Sequence, residues 1–277
     1  MAIERLPLKS AALLRRRRRR SLLFTAVTAV LIGVLTGFLS YVSHDPRLLI
    51  ERTLVTGNAA VGTEDILGTV REHLAGKHLF AFPKRSVFFY PQTAIEETLL
   101  SRFPKLASAN VGFYDFHTIE VRVEERNAVG VWCAGTPTAS GDCYFLDATG
   151  YIFGEAPTFS GDAFFSYFGP VTGGPLRTSF LTQEEFNRTG LFLTLLKGEG
   201  LYPVALLASG TSTREMFFGA ARGRIIFEST QEYAALAEGL AALLDSEVFK
   251  GFDRSVFALD YIDLRLGEKV FYKLQKE

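Results

Sequence analysis

Leu22 to Val42 reads LLFTAVTAVLIGVLTGFLSYV, twenty-one residues without a charge, and as a helix rising ~1.5 Å per residue it covers about the hydrocarbon thickness of a bilayer. A soluble core helix of this length would seldom be so free of charge, so the run predicts a single membrane span. Arg15, Arg16, Arg17, Arg18, Arg19 and Arg20 stand directly before it. A basic cluster beside a span is held on the cytoplasmic side, which places everything after Ser43 on the far side. The zero net charge conceals this division: residues 1–20 carry +7 and the remainder −7. Six consecutive arginines could instead bind nucleic acid, but a like-charge run repels itself and stays disordered. Beside a span, topology and contact with anionic lipid are its expected uses. A cleaved signal peptide is the rival reading. Phe38-Leu39-Ser40 and Tyr41-Val42-Ser43 both put a large residue where processing wants a small one, so the anchor is expected to be retained.

The two cysteines, Cys133 and Cys143, fall on the exported side, where oxidation is permitted. Between them AGTPTASGD is rich in turn formers, so the flanking runs VGVW and YFLD pair as a hairpin with the cysteines opposed. A structural disulfide is the expectation. The nearest imidazole, His117, belongs to a different turn, and two cysteines alone do not complete a zinc site.

Leu48 to Val55 reads as a strand stopped by Gly57-Asn58. Thr63 then serves as an N-cap for a helix with Ile66, Leu67, Val70 and Leu74 at helical spacing. The stretch HLFAFPKRSVFFYP is aromatic and irregular and is expected to pack under a loop. Pro91 opens a second helix with Ile95, Leu99 and Leu100 on its apolar face. Ala109–Phe113 and Ile119–Val123 alternate as strands around Tyr114-Asp115-Phe116-His117, with Ile119, Val121 and Val123 on one face. The order strand, helix, helix, strand, strand predicts a small α+β domain over residues 48–126. From 127 to 277 the pattern turns to short glycine-broken strands, VGVWC, CYFLD, YIFGE, FFSYFG, VALLA, REMFFG and RIIFE, with helices over Gln183–Leu196 and Glu232–Leu244. FALDYIDLRL and EKVFYKL make a closing hairpin. The fold class is thus α+β: a basic tail (1–21), a span (22–43), a βααββ domain and a mainly β domain with flanking helices.

No constellation passes a catalytic test. GxSxG, HExxH and Walker-type loops are missing from the sequence. The histidines at 44, 73, 78 and 117 lie outside the larger domain, and His73 and His78, five apart, do not share a helix face. Glu96-Glu97, Glu124-Glu125 and Glu184-Glu185 are adjacent pairs that point apart. Asp147-Ala148-Thr149-Gly150 suits a β-turn in which Asp147 accepts backbone N–H bonds. The chain therefore reads as a non-enzyme needing no cofactor or metal.

This order of parts resembles the FtsQ/DivIB family of bacterial cell-division proteins, whose first exported domain is called POTRA. The residues carrying the resemblance are Val55-Thr56-Gly57-Asn58, Phe103-Pro104 followed by Ala109-Asn110-Val111, VRVEERNAVGVW at 121–132, FLDATGYIF at 145–153 and IDLRL at 262–266. It departs from the family in its long aromatic segment 78–90, its cysteine pair, and Leu266 where an aromatic often stands. The resemblance implies a membrane-anchored scaffold of the inner membrane at the division septum. It would contact FtsB/FtsL-type proteins through the β domain and other division proteins through the POTRA domain. Two other readings stay open: a POTRA-bearing protein of outer-membrane assembly, though no series of alternating ten-residue strands follows, and an anchored envelope hydrolase, which needs a nucleophile with a converging base.

The expected partner site is the final hairpin, with Arg265, Leu266, Val270, Phe271 and Tyr272. Its alternation is imperfect, so its apolar residues do not sort simply into core and water. As the last strand it is expected to leave an edge open to strand addition. The competing expectation is that its aromatics fill the domain's own core.

Overall fold

The computed structural model describes residues 11–78, 82–159, 161, 163–219, 223–267 and 269–275, with only the backbone path given for 11–14. Residues 1–10 of the basic tail, and Glu268 in the final hairpin, lie outside the described residues. The chain divides into two compact units. The first holds the described residues up to Ser101 together with Ser108–Val123; the second holds Arg102–Ala107 and the residues from Glu124 onward.

In the first unit, α1 runs from Ala11 to Ser43. It is long and apolar enough to cross a membrane, and its apolar side chains are open all round, Phe24 at 75% and Leu31 at 64% exposure. Uniform apolarity on every face suits lipid better than a protein core. Arg15–Arg20 are helical and exposed, not the disordered run expected from charge repulsion. Once the apolar segment nucleates a helix, each added residue gains a hydrogen bond, and arginine is a good helix former.

After a 3₁₀ turn at Pro46–Leu48, β1 covers Arg52–Thr56, shorter and later than the expected Leu48–Val55. Ile50 and Val87 instead donate N–H bonds to Arg85 and Leu48, so residues 48–50 pair with the 85–87 segment before β1 begins. Gly57 follows at φ 89°. A Cβ there would stand 2.0 Å from the Val123 carbonyl oxygen, so only glycine fits this turn. Helix α2, Thr63–Leu74, is preceded by Gly62 at the cap position. Thr63 is not its N-cap but its first helical residue, and its hydroxyl accepts from Asn58 Nδ2 at 2.9 Å.

Short strands β2, Lys77–His78, and β3, Phe82–Pro83, pair within the aromatic segment, and α3 covers Gln92–Arg102. Ile95 and Leu99 are fully buried, whereas Leu100 is 38% exposed; the ~100° step from Leu99 carries it off the apolar face. Strands β4, Leu106–Asp115, and β5, Thr118–Glu125, are longer than expected and leave only Phe116-His117 in the turn. The sheet order is β1-β5-β4, with β1 parallel to β5. Ile119, Val121 and Val123 are buried with Ile66, Val70 and Ile95.

The second unit is built on one ten-stranded sheet. In chain order its strands are β6 (Gly130–Thr136), β7 (Ala139–Leu146), β8 (Tyr151–Glu155), β9 (Ser166–Phe168), β10 (Thr178–Ser179), β11 (Pro203–Ala208), β12 (Thr213–Phe218), β13 (Arg224–Glu228), β14 (Leu259–Asp263) and β15 (Phe271–Leu274). Across the sheet they run β10-β8-β7-β6-β9-β11-β12-β13-β14-β15. β9 is parallel to both β6 and β11 and joins an antiparallel set, β10-β8-β7-β6, to a mixed one, β11-β12-β13-β14-β15, in which β13 and β14 are parallel. Helices α4, Gln183–Gly198, and α5, Tyr233–Leu244, contribute to the main core: Phe192, Leu196 and Leu240 pack with Leu206, Met216, Ile225, Phe227 and Ile262. Thr182 caps α4 by accepting from the Glu185 N–H. Residues 102–107 go with this unit because Arg126 donates its N–H to Lys105 O and its Nε–H to Pro104 O.

Cys133 and Cys143 are disulfide-bonded and directly opposed in the β6–β7 hairpin, as expected. They belong to a smaller apolar cluster with Val131, Phe168 and Ala205. The loop closed is about ten residues, so bridging removes roughly 2–3 kcal/mol of unfolded-chain entropy. Reduction is therefore expected to lower the melting temperature by several degrees, about 2–4 °C per kcal/mol for a unit of this size. Thermal melts with and without reductant check this, and an unchanged melt would mean that the bridge adds nothing to the hairpin.

Candidate functional site

Strand β15 forms one end of the ten-stranded sheet. It pairs antiparallel with β14, matching Leu259 to Leu274, Ile262 to Tyr272 and Asp263 to Phe271; among the described residues no strand lies on its other side. Directly paired residues point to the same face of a sheet. Tyr272 and Leu274 thus share the face of Ile262 and Leu259, both fully buried, yet remain 41% and 60% exposed. The face that is core under β14 is open under β15. Phe271, on the opposite face, is 51% exposed, and Leu266 in the preceding turn is 60% exposed.

Several contacts fix this edge in place. Tyr272 leans its ring on Phe249 at a centroid distance of 5.0 Å, and Val270 packs partly against the main core. β14 ends at Asp263, not at Leu266 as the IDLRL pattern suggested. The Asp263 carboxylate accepts the Arg265 backbone N–H at 3.1 Å, its Nε–H at 2.9 Å and an Nη2–H at 2.7 Å, turning the chain out of the strand. Those side-chain bonds from Arg265 hold the Asp263 carboxyl below the usual carboxylate range against partial burial. Gln231 reaches across to donate to Leu264 O at 2.9 Å, and Leu264 N–H bonds Ile226 O at 2.8 Å. Across the hairpin, Lys273 pairs with Asp260 at 2.6 Å, and its hydrogen bond lowers the Asp260 carboxyl.

The expected residues therefore fall into two groups. Phe271, Tyr272 and Leu266 present apolar surface, while Arg265 is held by Asp263 and Val270 supports from below. Leu274, Lys273 and Phe249 complete the edge and were not anticipated. Leu274 was readable from its place in the strand, but nothing local marks Phe249, which comes from the 3₁₀ turn after α5.

Elsewhere the unit has an open concavity of about 980 Å³ beside the disulfide, lined by Phe159, Phe164, Phe168, Phe217 and Thr138 among others. Ser140, Asp142, Glu155 and Ser166 also line it. Among the described residues no group of three or more His, Cys, Asp or Glu could hold a metal. Asp147, the acid most enclosed by partners, is a turn residue as expected. It accepts from Thr149 N–H at 2.8 Å, Thr149 Oγ1 at 2.6 Å and Tyr151 N–H at 3.1 Å, and pairs with Arg126. Burial pushes its carboxyl up, but the bonds from Thr149 and Arg126 outweigh this and hold it below the ordinary range.

No family model matches the chain. Over 223 residues it is 26% identical to a protein of Mycobacteroides abscessus named Cell division protein FtsQ, an alignment that takes in 80% of this chain and 63% of that protein. The chain thus spans less than two thirds of its relative's length.

Proposed function

We propose that this protein is a non-enzymatic, membrane-anchored scaffold of the bacterial division machinery, of the FtsQ/DivIB type. It crosses the inner membrane once through α1 with Arg15–Arg20 in the cytoplasm. The βααββ unit acts as a POTRA-type domain that helps recruitment, and the β unit takes up FtsB/FtsL-type partners along β15. The observation that carries this reading is the pairing of an open sheet edge with exposed apolar residues on its core face. An incoming strand or strand–helix segment would hydrogen-bond the edge and cover Tyr272 and Leu274. The likeness to a protein named for cell division supports the choice of process, and the apolar helix preceded by six arginines supports the anchor.

In growing cells, a fluorescent fusion to the full chain is expected to form a band at the division site. Protease added outside the inner membrane is expected to digest the chain from residue 44 onward and spare the tail. A uniform envelope signal would argue against a division role, and a protected C-terminal portion would reverse the topology.

A further inference from the structure

The first unit carries apolar surface that its own core does not use. Phe113, Tyr114 and Phe116, at the tip of the β4–β5 hairpin, are 57%, 59% and 57% exposed, and Phe88 is 60% exposed. Phe113 and Phe116 meet edge to face at 5.8 Å, so the tip is an aromatic cluster and not a set of scattered rings. Clustered exposed apolar groups on a protein surface mark a contact with something else.

Hydrogen bonds fix where this tip lies relative to the anchor. Glu51 and Arg52 both donate their N–H to His117 O, at 2.8 and 3.0 Å, which holds the hairpin turn against the start of β1. Val87 N–H bonds Leu48 O at 3.0 Å and Ile50 N–H bonds Arg85 O at 2.8 Å, which ties the segment bearing Phe88 to the same stretch. That stretch follows directly on α1, which ends at Ser43 and touches β3. The eight positions from Ser43 to Glu51 could reach ~28 Å if fully extended, and the 3₁₀ turn at Pro46–Leu48 shortens that reach. Tyr41, 82% exposed on the last turn of α1, is an interfacial residue type at the corresponding level. Charges here are mixed: Arg47, Arg52 and Arg85 stand with Asp45, Glu51 and Asp115, all exposed. Attraction to anionic lipid would therefore be weak, leaving the rings to make the contact.

We propose that the aromatic turn Phe113–Phe116, together with Phe88, inserts into the headgroup layer of the bilayer that α1 spans, giving the βααββ unit a second point of attachment on the membrane surface. Tyr114, with an apolar ring and a polar hydroxyl, is of the type enriched in that layer, and Phe88, Phe113 and Phe116 add apolar area to bury at its acyl boundary. The contact rests on α1 being a membrane span and is independent of any role in division.

The test uses the full chain reconstituted in phosphatidylcholine vesicles containing brominated acyl chains, which quench nearby tryptophan. The natural Trp132 is the only tryptophan and lies buried in the second unit, so the unsubstituted chain supplies the background. Three variants are compared: Leu31→Trp within α1, Tyr114→Trp at the tip, and Glu64→Trp at the start of α2, beyond the far end of β1. Each replaces an exposed side chain, so the fold is retained. Tyr114→Trp, at headgroup depth, is expected to lose emission clearly beyond Glu64→Trp but less than Leu31→Trp at the middle of the span, with Glu64→Trp almost unaffected. Tyr114→Trp quenched no more than Glu64→Trp, with Leu31→Trp quenched, would overturn the surface contact alone and leave the tip to a protein partner. No quenching at Leu31→Trp would overturn the span itself and the contact with it.

Discussion

Asp147→Ala is expected to destabilise the second unit by about 3 kcal/mol, the range for removing one member of a buried, hydrogen-bonded ion pair. The carboxylate closes the β7–β8 turn through two bonds from Thr149 and one from Tyr151, and it neutralises Arg126. Arg126 is itself held over the Tyr151 ring at 4.3 Å and bonded to Pro104 O, so it cannot easily swing into water when its partner goes. Alanine would leave that cation largely enclosed and several donors without acceptors. A melt lowered by roughly 6–12 °C is the corresponding result, and a loss within about 1 °C would show that the turn does not depend on the carboxylate. The pH dependence gives a second readout. The folded carboxyl titrates below its unfolded value, so its contribution is complete above the ordinary carboxylate pKa of about 4 and fades as pH falls through the lower folded value. The parent should lose stability in that acid window more steeply than Asp147→Ala does.

Tyr272→Ala is expected to weaken binding of an FtsB/FtsL-type partner by at least tenfold while leaving the fold in place. Aromatic residues in a covered contact commonly contribute 2 kcal/mol or more, about a thirtyfold change in affinity. Tyr272 is well placed for this, because Phe249 already holds its ring and so little side-chain freedom remains to be lost on binding. Being 41% exposed in the free chain, it contributes less to the unit's own core than to a contact that covers it. Leu274→Lys would place a charge on the same face and should act in the same direction. Phe271→Pro removes a backbone donor as well as a ring; it abolishes strand addition if that N–H faces outward and weakens the β14–β15 pairing if it faces inward. Binding measured by copurification, beside a thermal melt of each variant, separates these cases. Unaltered binding by folded Tyr272→Ala and Leu274→Lys chains would move the interface off β15.

Parts of this protein were legible residue by residue. The span, the βααββ order, the opposed cysteines and the Asp147–Gly150 turn all rest on local signals: an uncharged run, helical or alternate spacing, and turn residues between strands. Those depend on neighbours within a few positions, which a single sequence displays. The apolar character of the final strand was visible in the same way.

What sequence did not disclose depends on contacts between distant segments. β9, Ser166–Phe168, lies within the FFSYFG run that reads as a strand, but nothing local discloses its parallel pairing with β6 and β11, which makes one sheet of what spacing alone leaves as separate hairpins. Arg265 and Leu266 continue an apparently regular strand, but where the chain leaves the sheet the Asp263 carboxylate captures Arg265 and Gln231 takes the Leu264 carbonyl. Whether Tyr272 faces core or solvent was likewise undetermined, since an aromatic residue suits either setting. Its pattern places it on a face, but exposure depends on what other segments bring to that face. Phe249 covers one side of the ring while the flank beyond β15 stays open, so the alternation written in the chain fixed the direction of the side chain and the tertiary packing decided how much of it was left for a partner.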